Sequence, residues 1–237
     1  MSDQEIITGL DIGSTVIRLV VGQRTSDVNQ PIHIIGAAEV PAEGISRGII
    51  SSLEDAVASI SACLEKAERM VGFAINSSWV GISGSHIMSQ ESQGVIAVAR
   101  SDGEITEADV ERAIEAARTV ATPPNYEILH VIPKSFTVDG QVGIKDPIGM
   151  TGVRLEVETQ IIQGLSAQIK NLTKAVYRVG LDIRDLVLSI LATSEAVLTN
   201  RQKELGVVLV NIGGATTNLV VFEEGDRERT DACRGDG

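Results

Sequence analysis

Two short segments carry residue types suited to holding phosphate. The first contains Asp11, Gly13, Ser14 and Thr15, and the second Asn211, Gly213, Gly214, Ala215, Thr216 and Thr217. Each follows an apolar run (residues 6–10 and 207–210) and leads into another (16–22 and 219–222). Glycine lets backbone N–H groups approach a phosphate with no Cβ in the way. The serine and threonine hydroxyls add donors. Asp11, at a strand end, suits a hydrated Mg²⁺, which keeps most of its waters and needs one or two carboxylates. Each segment also reads as an ordinary tight β-hairpin. The pair, alike in order and flanks, favours two hairpins that grip a polyphosphate from both sides. A strand rather than a helix follows the glycines, so this is not the dinucleotide fingerprint.

Such turns need a scaffold, and composition allows one. The chain has 237 residues, 43% of them hydrophobic and 22% charged, enough for one large domain or two modest ones. Its net charge of −12 sets it against nucleic acid, and 3% aromatics offer no base-stacking platform. Cys63 and Cys233 do not suggest a disulfide framework, and Cys63 falls on the apolar side of a helix with Leu53, Ala56, Val57, Ile60 and Leu64. His33, His86 and His130 lack metal-ligand spacing. The acidic start lacks a signal peptide's basic region, and no apolar run is long enough for a bilayer, so the expected location is the cytoplasm.

Periodicity places the elements. Residues 6–22 read as two strands and 31–40 as a third. Ser51 with Glu54, or Ser52 with Asp55, opens a helix to about Met70. Residues 74–82 read as a strand. From about 84 to 163 the pattern is that of a small α+β module. Its strands are expected at 94–99, 127–132, 135–138 and 154–162, with an ordered glycine-rich loop at 139–152. Its helix is capped by Thr106 and Asp109, has a core face of Val110, Ala113, Ile114, Ala117 and Val120, and is stopped by Pro123-Pro124. A helix from Ser166 ends at Gly180, a strand follows at 186–191 and a helix at 193–200. Residues 226–237 show no apolar alternation. They read as a disordered tail or as a premature ending through a change of reading frame, and would leave the strand at 219–222 with an exposed apolar edge.

The two hairpins resemble the phosphate-1 and phosphate-2 motifs of the actin, Hsp70 and sugar-kinase superfamily. Within it, residues 8–224 resemble the FtsA family of bacterial cell-division proteins. The most specific part runs from Ile132-Pro133 through Val138-Asp139-Gly140, Asp146-Pro147 and Gly149-Met150 to Gly152-Val153-Arg154-Leu155-Glu156. Glu204-Leu205-Gly206 before the second hairpin adds to it. The resemblance implies an α/β, actin-like ATPase (ribonuclease H-like) lobe with an inserted SHS2-type subdomain and the start of a second lobe. It divides the chain into 1–83 and 164–205 (subdomain 1A), 84–163 (the insertion, 1C), 206–225 (the start of 2A) and the atypical 226–237.

By the same resemblance the cofactors are ATP and Mg²⁺. Asp11, Gly13, Ser14 and Thr15 would take phosphate 1 and Asp11 the metal through water. Asn211, Gly213, Gly214, Ala215, Thr216 and Thr217 would form the phosphate-2 turn. Glu195 falls where the superfamily places the residue that orients the attacking water, or it is a helix N-terminal acid favoured by the dipole. The family role is an ATP-switched scaffold with slow hydrolysis at most. It forms filaments, binds other division proteins through the 84–163 module, and ties the FtsZ ring to the cytoplasmic face of the inner membrane. The FtsZ site and the membrane-binding amphipathic helix fall in parts of the family not matched here. Asn211 and Asn218 stand where the family has acids, and Ala215 where a third glycine is common, departures that bear on hydrolysis more than on binding. The competing readings are a pilus-assembly adaptor with the same module and a small-molecule kinase of the superfamily.

Overall fold

The computed structural model describes residues 5–25, 31–119, 122–223 and 226–234, the last of these as backbone only. Val120, expected on a helix face, and the side chain of Cys233 lie outside this description. The chain opens with β1 (Glu5–Ile12), β2 (Val16–Arg24) and β3 (His33–Pro41), an antiparallel meander. A two-strand hairpin, β4 (Ile45–Ser46) and β5 (Ile49–Ile50), leads to α1 (Leu53–Val71) and then β6 (Ser77–Ile82). β6 lies parallel to β1, and β11 (Asp182–Leu188) parallel to β6, giving the order β11-β6-β1-β2-β3.

Alternation sorts the two faces of this sheet. Leu10, Ile12, Ile17, Leu19, Val21, Val80 and Ile82 are buried together under α1 and α3 (Ser166–Arg178). Gly9, Asp11, Arg18, Val20 and Trp79 therefore face the other way. Of the two serines that suit the start of α1, Ser52 is the N-cap, accepting from the Asp55 N–H. Gly72 closes the helix in the left-handed conformation, with its N–H on the Glu68 carbonyl. Cys63 is fully buried in this core, as its helical spacing predicts.

Between β6 and α3 the chain builds a second sheet with its own core. Its strands are β7 (Ile87–Ala97), β8 (Tyr126–Val138), β9 (Gln141–Ile144) and β10 (Arg154–Leu165), in the order β7-β10-β8-β9. α2 (Glu107–Arg118) packs on one face, so close that a Cβ on Gly94 would lie 2.0 Å from the Ala113 carbonyl oxygen. Ile105, Ala113, Ala117, Phe136, Val138, Leu155 and Val157 fill the space between.

The sequence expectations fail here in two places. The strands expected at 127–132 and 135–138 are one strand, β8, of 13 residues. Pro133 does not end it, because the ladder slips there: Thr159 faces Pro133 while Glu158 faces Ser135. A bulge is where a strand tolerates a residue without an N–H. The expected loop at 139–152 contains β9, joined to β8 through Asp139 and Gly140, both at positive φ (47° and 88°). That is the Asp-Gly turn that matches the twist of a hairpin. The Asp139 carboxylate also accepts from the Val153 and Arg154 N–H groups, tying the turn to the start of β10.

After α3, which ends before Gly180 as expected, β11 stops at Leu188 and α4 runs over Ser189–Val197. The sequence reading extends that strand to 191 and starts the helix at 193. A short apolar run such as Ser189-Ile190-Leu191 does not separate a buried strand from a buried helix turn. α5 (Asn200–Leu205) is capped by a Thr199–Gln202 capping box that the sequence reading does not use.

The second hairpin, β12 (Val207–Ile212) and β13 (Thr216–Glu223), gains a third strand, β14 (Asp226–Arg234), antiparallel to β13. The expectation of a disordered tail from residue 226 is thus corrected over Asp226–Arg234. Backbone hydrogen bonds along the open side of β13 need no apolar alternation from the strand that takes them. The apolar edge expected at 219–222 is absent for the same reason. Val220 and Phe222 are buried against Leu188, Ile190, Leu191 and Ile162. The exposed apolar surface is instead on one face of β12, where Val208, Val210 and Ile212 are 57%, 49% and 79% exposed.

Two outcomes follow from these contacts. The Asp109 carboxylate accepts from the Thr106 hydroxyl (2.6 Å) and N–H (2.9 Å) and pairs with Arg112. Those bonds, the Thr106 hydroxyl foremost, lower its pKa from 3.8 to about 2. A depressed carboxylate stabilises fully above its unfolded value, and that stabilisation is lost as pH falls through the folded one. An acid titration followed by circular dichroism is therefore expected to weaken α2 progressively from about pH 4 to about pH 2. Asp109→Asn is expected to lose about 1 kcal/mol at neutral pH and to flatten that acid limb. Separately, replacing Val208, Val210 and Ile212 together by threonine is expected to raise the concentration at which the chain stays monomeric in ultracentrifugation. Folding should persist, since threonine also favours strands.

Candidate functional site

The two glycine turns repeat one another in register. In the first, Asp11 lies opposite Arg18 and Ile12 opposite Ile17. In the second, Asn211 lies opposite Asn218 and Ile212 opposite Thr217. Gly13 N–H donates to the Val16 carbonyl at 3.1 Å and Gly213 N–H to the Thr216 carbonyl at 2.9 Å. A Cβ on Gly13 would stand 2.6 Å from that Val16 oxygen, so the first turn needs glycine there.

The turns also touch. A Cβ on Gly214 would lie 2.3 Å from Thr15 Cγ2 and 2.8 Å from its Oγ1, so the backbone of the second turn rests on the Thr15 side chain of the first. Thr15 is held in turn by its carbonyl, which accepts from Ala42 N–H at 2.9 Å. The Ser14 hydroxyl accepts from Gly48 N–H at 3.1 Å, which fixes the first turn to the β4–β5 hairpin. Ala215 follows Gly214 at the tip, and Thr216 and Thr217 begin β13, half-buried.

Beside this contact lies an open cavity of ≈550 Å³, lined by Asp11, Arg18, Trp79, Ser189, Thr193 and Asn211 among others. Its floor is the sheet face turned away from α1 and α3. Ser189, first residue of α4, donates its hydroxyl to Asp11 Oδ1 at 3.0 Å. Gly81 makes room for that pair, since a Cβ there would lie 2.7 Å from Ser189 Oγ and 3.0 Å from Asp11 Oδ1. Arg18 reaches across the same face to Glu39, Nε to Oε2 at 2.8 Å. Ser189 and Thr193 are site residues that sequence reasoning misses. Ser189 is hidden in an apolar stretch read as strand and Thr193 opens the expected helix; the start of α4 turns the Ser189 hydroxyl to Asp11, and Thr193 bonds back to the Ser189 carbonyl.

Glu195 is not brought to this cavity. It faces a second cavity of ≈450 Å³ between α4 and β8, with Arg118 and His130. Its carboxylate accepts from Lys203 Nζ at 2.9 Å, and that ammonium also sits 5.4 Å from the centre of the Phe222 ring. The pair packs α5 onto β13. Among the histidines, His130 Nε2 accepts from Leu188 N–H at 3.0 Å. His86 is buried, and that burial lowers its pKa.

The residues fit a magnesium-bound polyphosphate in part. Backbone turns and close-approach glycines suit phosphate oxygens. No group of three or more potential metal ligands occurs among the described residues. Among the described residues lining the cavity, Asp11 alone supplies a carboxylate, which suits a metal that keeps its waters.

Known proteins place this geometry. Residues 84–163 match the family model for the SHS2 domain inserted in FtsA. The cell division protein FtsA of Bacillus subtilis is 42% identical over 225 residues, covering 95% of this chain and 50% of the relative. FtsA of Pseudomonas aeruginosa is 38% identical over 221 residues (93% and 52%), and FtsA of Escherichia coli K12 34% over 229 (97% and 54%). The chain thus spans about half the length of the curated relatives it matches. Among solved structures, a PilM–PilN type IV pilus biogenesis complex aligns with TM-score 0.66 at 16% identity over 96% of this chain and 61% of that one. The ethanolamine utilization protein EutJ from Carboxydothermus hydrogenoformans aligns with TM-score 0.52 at 18% identity, over 98% and 53%. Those likenesses concern the actin-like ATPase fold alone, and the pilus-adaptor reading has less support than the sequence relatives. Over nearly its whole length this chain belongs to the FtsA family of cell-division proteins.

Proposed function

We propose that the chain is the phosphate-gripping, module-bearing part of an FtsA-type scaffold, and that it holds Mg²⁺-ATP between its two glycine turns. The observation that carries this reading is the contact of Gly214 with Thr15, which joins the two turns whose preceding strand ends, Asp11 and Asn211, line one cavity. The backbone N–H groups around Gly13 and Gly213, with Ser14, Thr15, Thr216 and Thr217, are the donors offered to phosphate oxygens. Asp11 orients a water-shelled Mg²⁺, which when bound would neutralise phosphate charge.

Hydrolysis is slow on this reading. Asn211 and Asn218 are amides and add no negative charge, and catalytic electrostatics depend on such charges. Glu195, the residue proposed from the resemblance to orient water, is engaged with Lys203 on the other side of α4. The chain then works as an adaptor rather than as a turnover enzyme. Filament formation, attachment of the FtsZ ring and contact with the inner membrane belong to this proposal for the longer relatives. The 84–163 module, with a core of its own, is proposed to contact other division proteins or a neighbouring copy.

In these 237 residues the second wall of the cleft is one three-stranded sheet, and good sites typically enclose roughly 70–90% of a ligand. Isothermal titration of the purified chain with Mg²⁺-ATP is expected to show weak or undetectable binding. A version extended to the relatives' length is expected to bind clearly, and no binding by that version would sink the nucleotide reading. In the extended version Asn211→Asp is expected to raise Mg²⁺-dependent ATPase activity by about tenfold. Equal rates would show that the metal is held elsewhere. In the 237-residue chain Gly214→Ala, which forces a methyl against Thr15, is expected to cost about 1–3 kcal/mol in a denaturant titration. Thr15→Ala should recover part of that loss.

A further inference from the structure

We propose that His130, in the inserted module, is a positioning residue for the phosphate site. It sets the first turn of α4 and through it the hydroxyl that rests on Asp11. The proposal deepens the nucleotide reading and rests on it only for the identity of the ligand.

The argument starts from a helix that lacks the means to cap itself. α4 begins after Leu188, and no side chain of the N-cap residue bonds to its first turn. A capping box needs a polar side chain at the third helical position that reaches back to the N-cap N–H. That position in α4 is Leu191, which has nothing to offer. The N–H of Leu188 instead donates to His130 Nε2, at 3.0 Å, from β8 of the other sheet. The imidazole does for α4 what a glutamate or glutamine does in a capping box, but from a different subdomain. An accepting Nε2 requires the tautomer with its proton on Nδ1.

The next residue carries the consequence. Ser189 donates to Asp11 Oδ1 at 3.0 Å, and Gly81 is the only residue type that leaves both atoms room. A shift of the Leu188 peptide moves the Ser189 Cα with it. So one covalent step joins the module's imidazole to the side chain nearest the expected metal. A second tie runs beside it. Ser14 Oγ accepts from Gly48 N–H, and Gly48 is packed so tightly that a Cβ would lie 2.0 Å from the Ser83 carbonyl oxygen, at the entry to the module. The first phosphate turn is therefore tethered toward both β7 and β8, the two strands that flank β10.

The test is backbone amide hydrogen exchange on the whole chain without ligand, in wild type, His130→Phe, His130→Gln and Ser189→Ala. Phenylalanine keeps the ring volume and loses the acceptor, whereas glutamine restores an acceptor. His130→Phe is expected to speed exchange at Leu188 and residues 189–191 by about tenfold, the scale of a lost helix cap. Exchange at residues 12–15 should rise with it, and His130→Gln should return most of both effects. Unchanged exchange at Leu188, a change that stops at α4, or no rescue by glutamine would each overturn the proposal. If His130→Phe loosens the entire chain, Ser189→Ala decides. Faster exchange at both residues 12–15 and Leu188 supports the relay, and no change at either overturns it. A parallel Mg²⁺-ATP titration of the extended version separates the two readings. No binding by its wild type counts against the nucleotide alone and leaves the exchange result standing. Binding that His130→Phe weakens about fivefold or more, with recovery in His130→Gln, supports the relay. Equal affinity in all three overturns it.

Discussion

The rest of the arrangement depends on one close approach, that of the Gly214 backbone to the Thr15 side chain. A hairpin alone is marginal in water, so the second turn needs something to hold it at this distance. That support comes from Val220 and Phe222, buried against Leu188, Ile190 and Leu191 of the first lobe. Each large apolar side chain buried in this way contributes about 1.5–3 kcal/mol. Lys203, between Glu195 and the Phe222 ring, fixes α5 against the same strand. With the turns in contact, the acid of one and the amide of the other line one cavity.

The inserted module is separate in its core but continuous in its chain. β10 runs into α3 without a break, Leu165 ending the strand and Ser166 beginning the helix. Buried polar side-chain atoms without a partner among the described residues gather near this junction, on His86, Glu127, Gln163 and Gln168. Each such group costs about 1–3 kcal/mol relative to a paired one. On the face of the module's sheet that packs on α2, Ser92 and Thr159 are both hydrogen-bonded to backbone carbonyls, whereas Gln160 Oε1 of β10 is another buried atom without a partner among the described residues. The two sheets are also joined by apolar packing, since Ile162, Ile87, Leu129 and Ile132 of the module lie against Leu188, Ile190 and Leu191.

Chemistry at the cavity is asymmetric. The first turn brings a carboxylate and the second an amide, in the same register position. Both present oxygen, but only one presents charge. On the proposed nucleotide reading, the charged turn meets the hydrated cation and the neutral turn only positions the ligand.

Much of this was legible in residue order because the signals are local. The two glycine hairpins, the Ser52 and Thr106–Asp109 helix starts, the Gly180 stop and the buried side of Cys63 all follow from period and cap chemistry within a few residues. The family likeness of residues 132–156 likewise lies in contiguous sequence. Other features depended on partners distant in the chain. Whether Pro133 ended a strand was decided by pairing with β10, against which β8 continues by bulging at Pro133-Lys134. Whether residues 226–234 formed a strand was decided by the open side of β13, since backbone pairing needs no apolar pattern. Ser189 lines the candidate site, and Glu195 does not, because α4 begins at Ser189 and turns one face to Asp11 and the other to β8. By itself the sequence determined which segments could turn, cap and bury. Only the tertiary structure decided which side chains meet, because a helix start shifted by a few residues rotates every later side chain by about 100° per position.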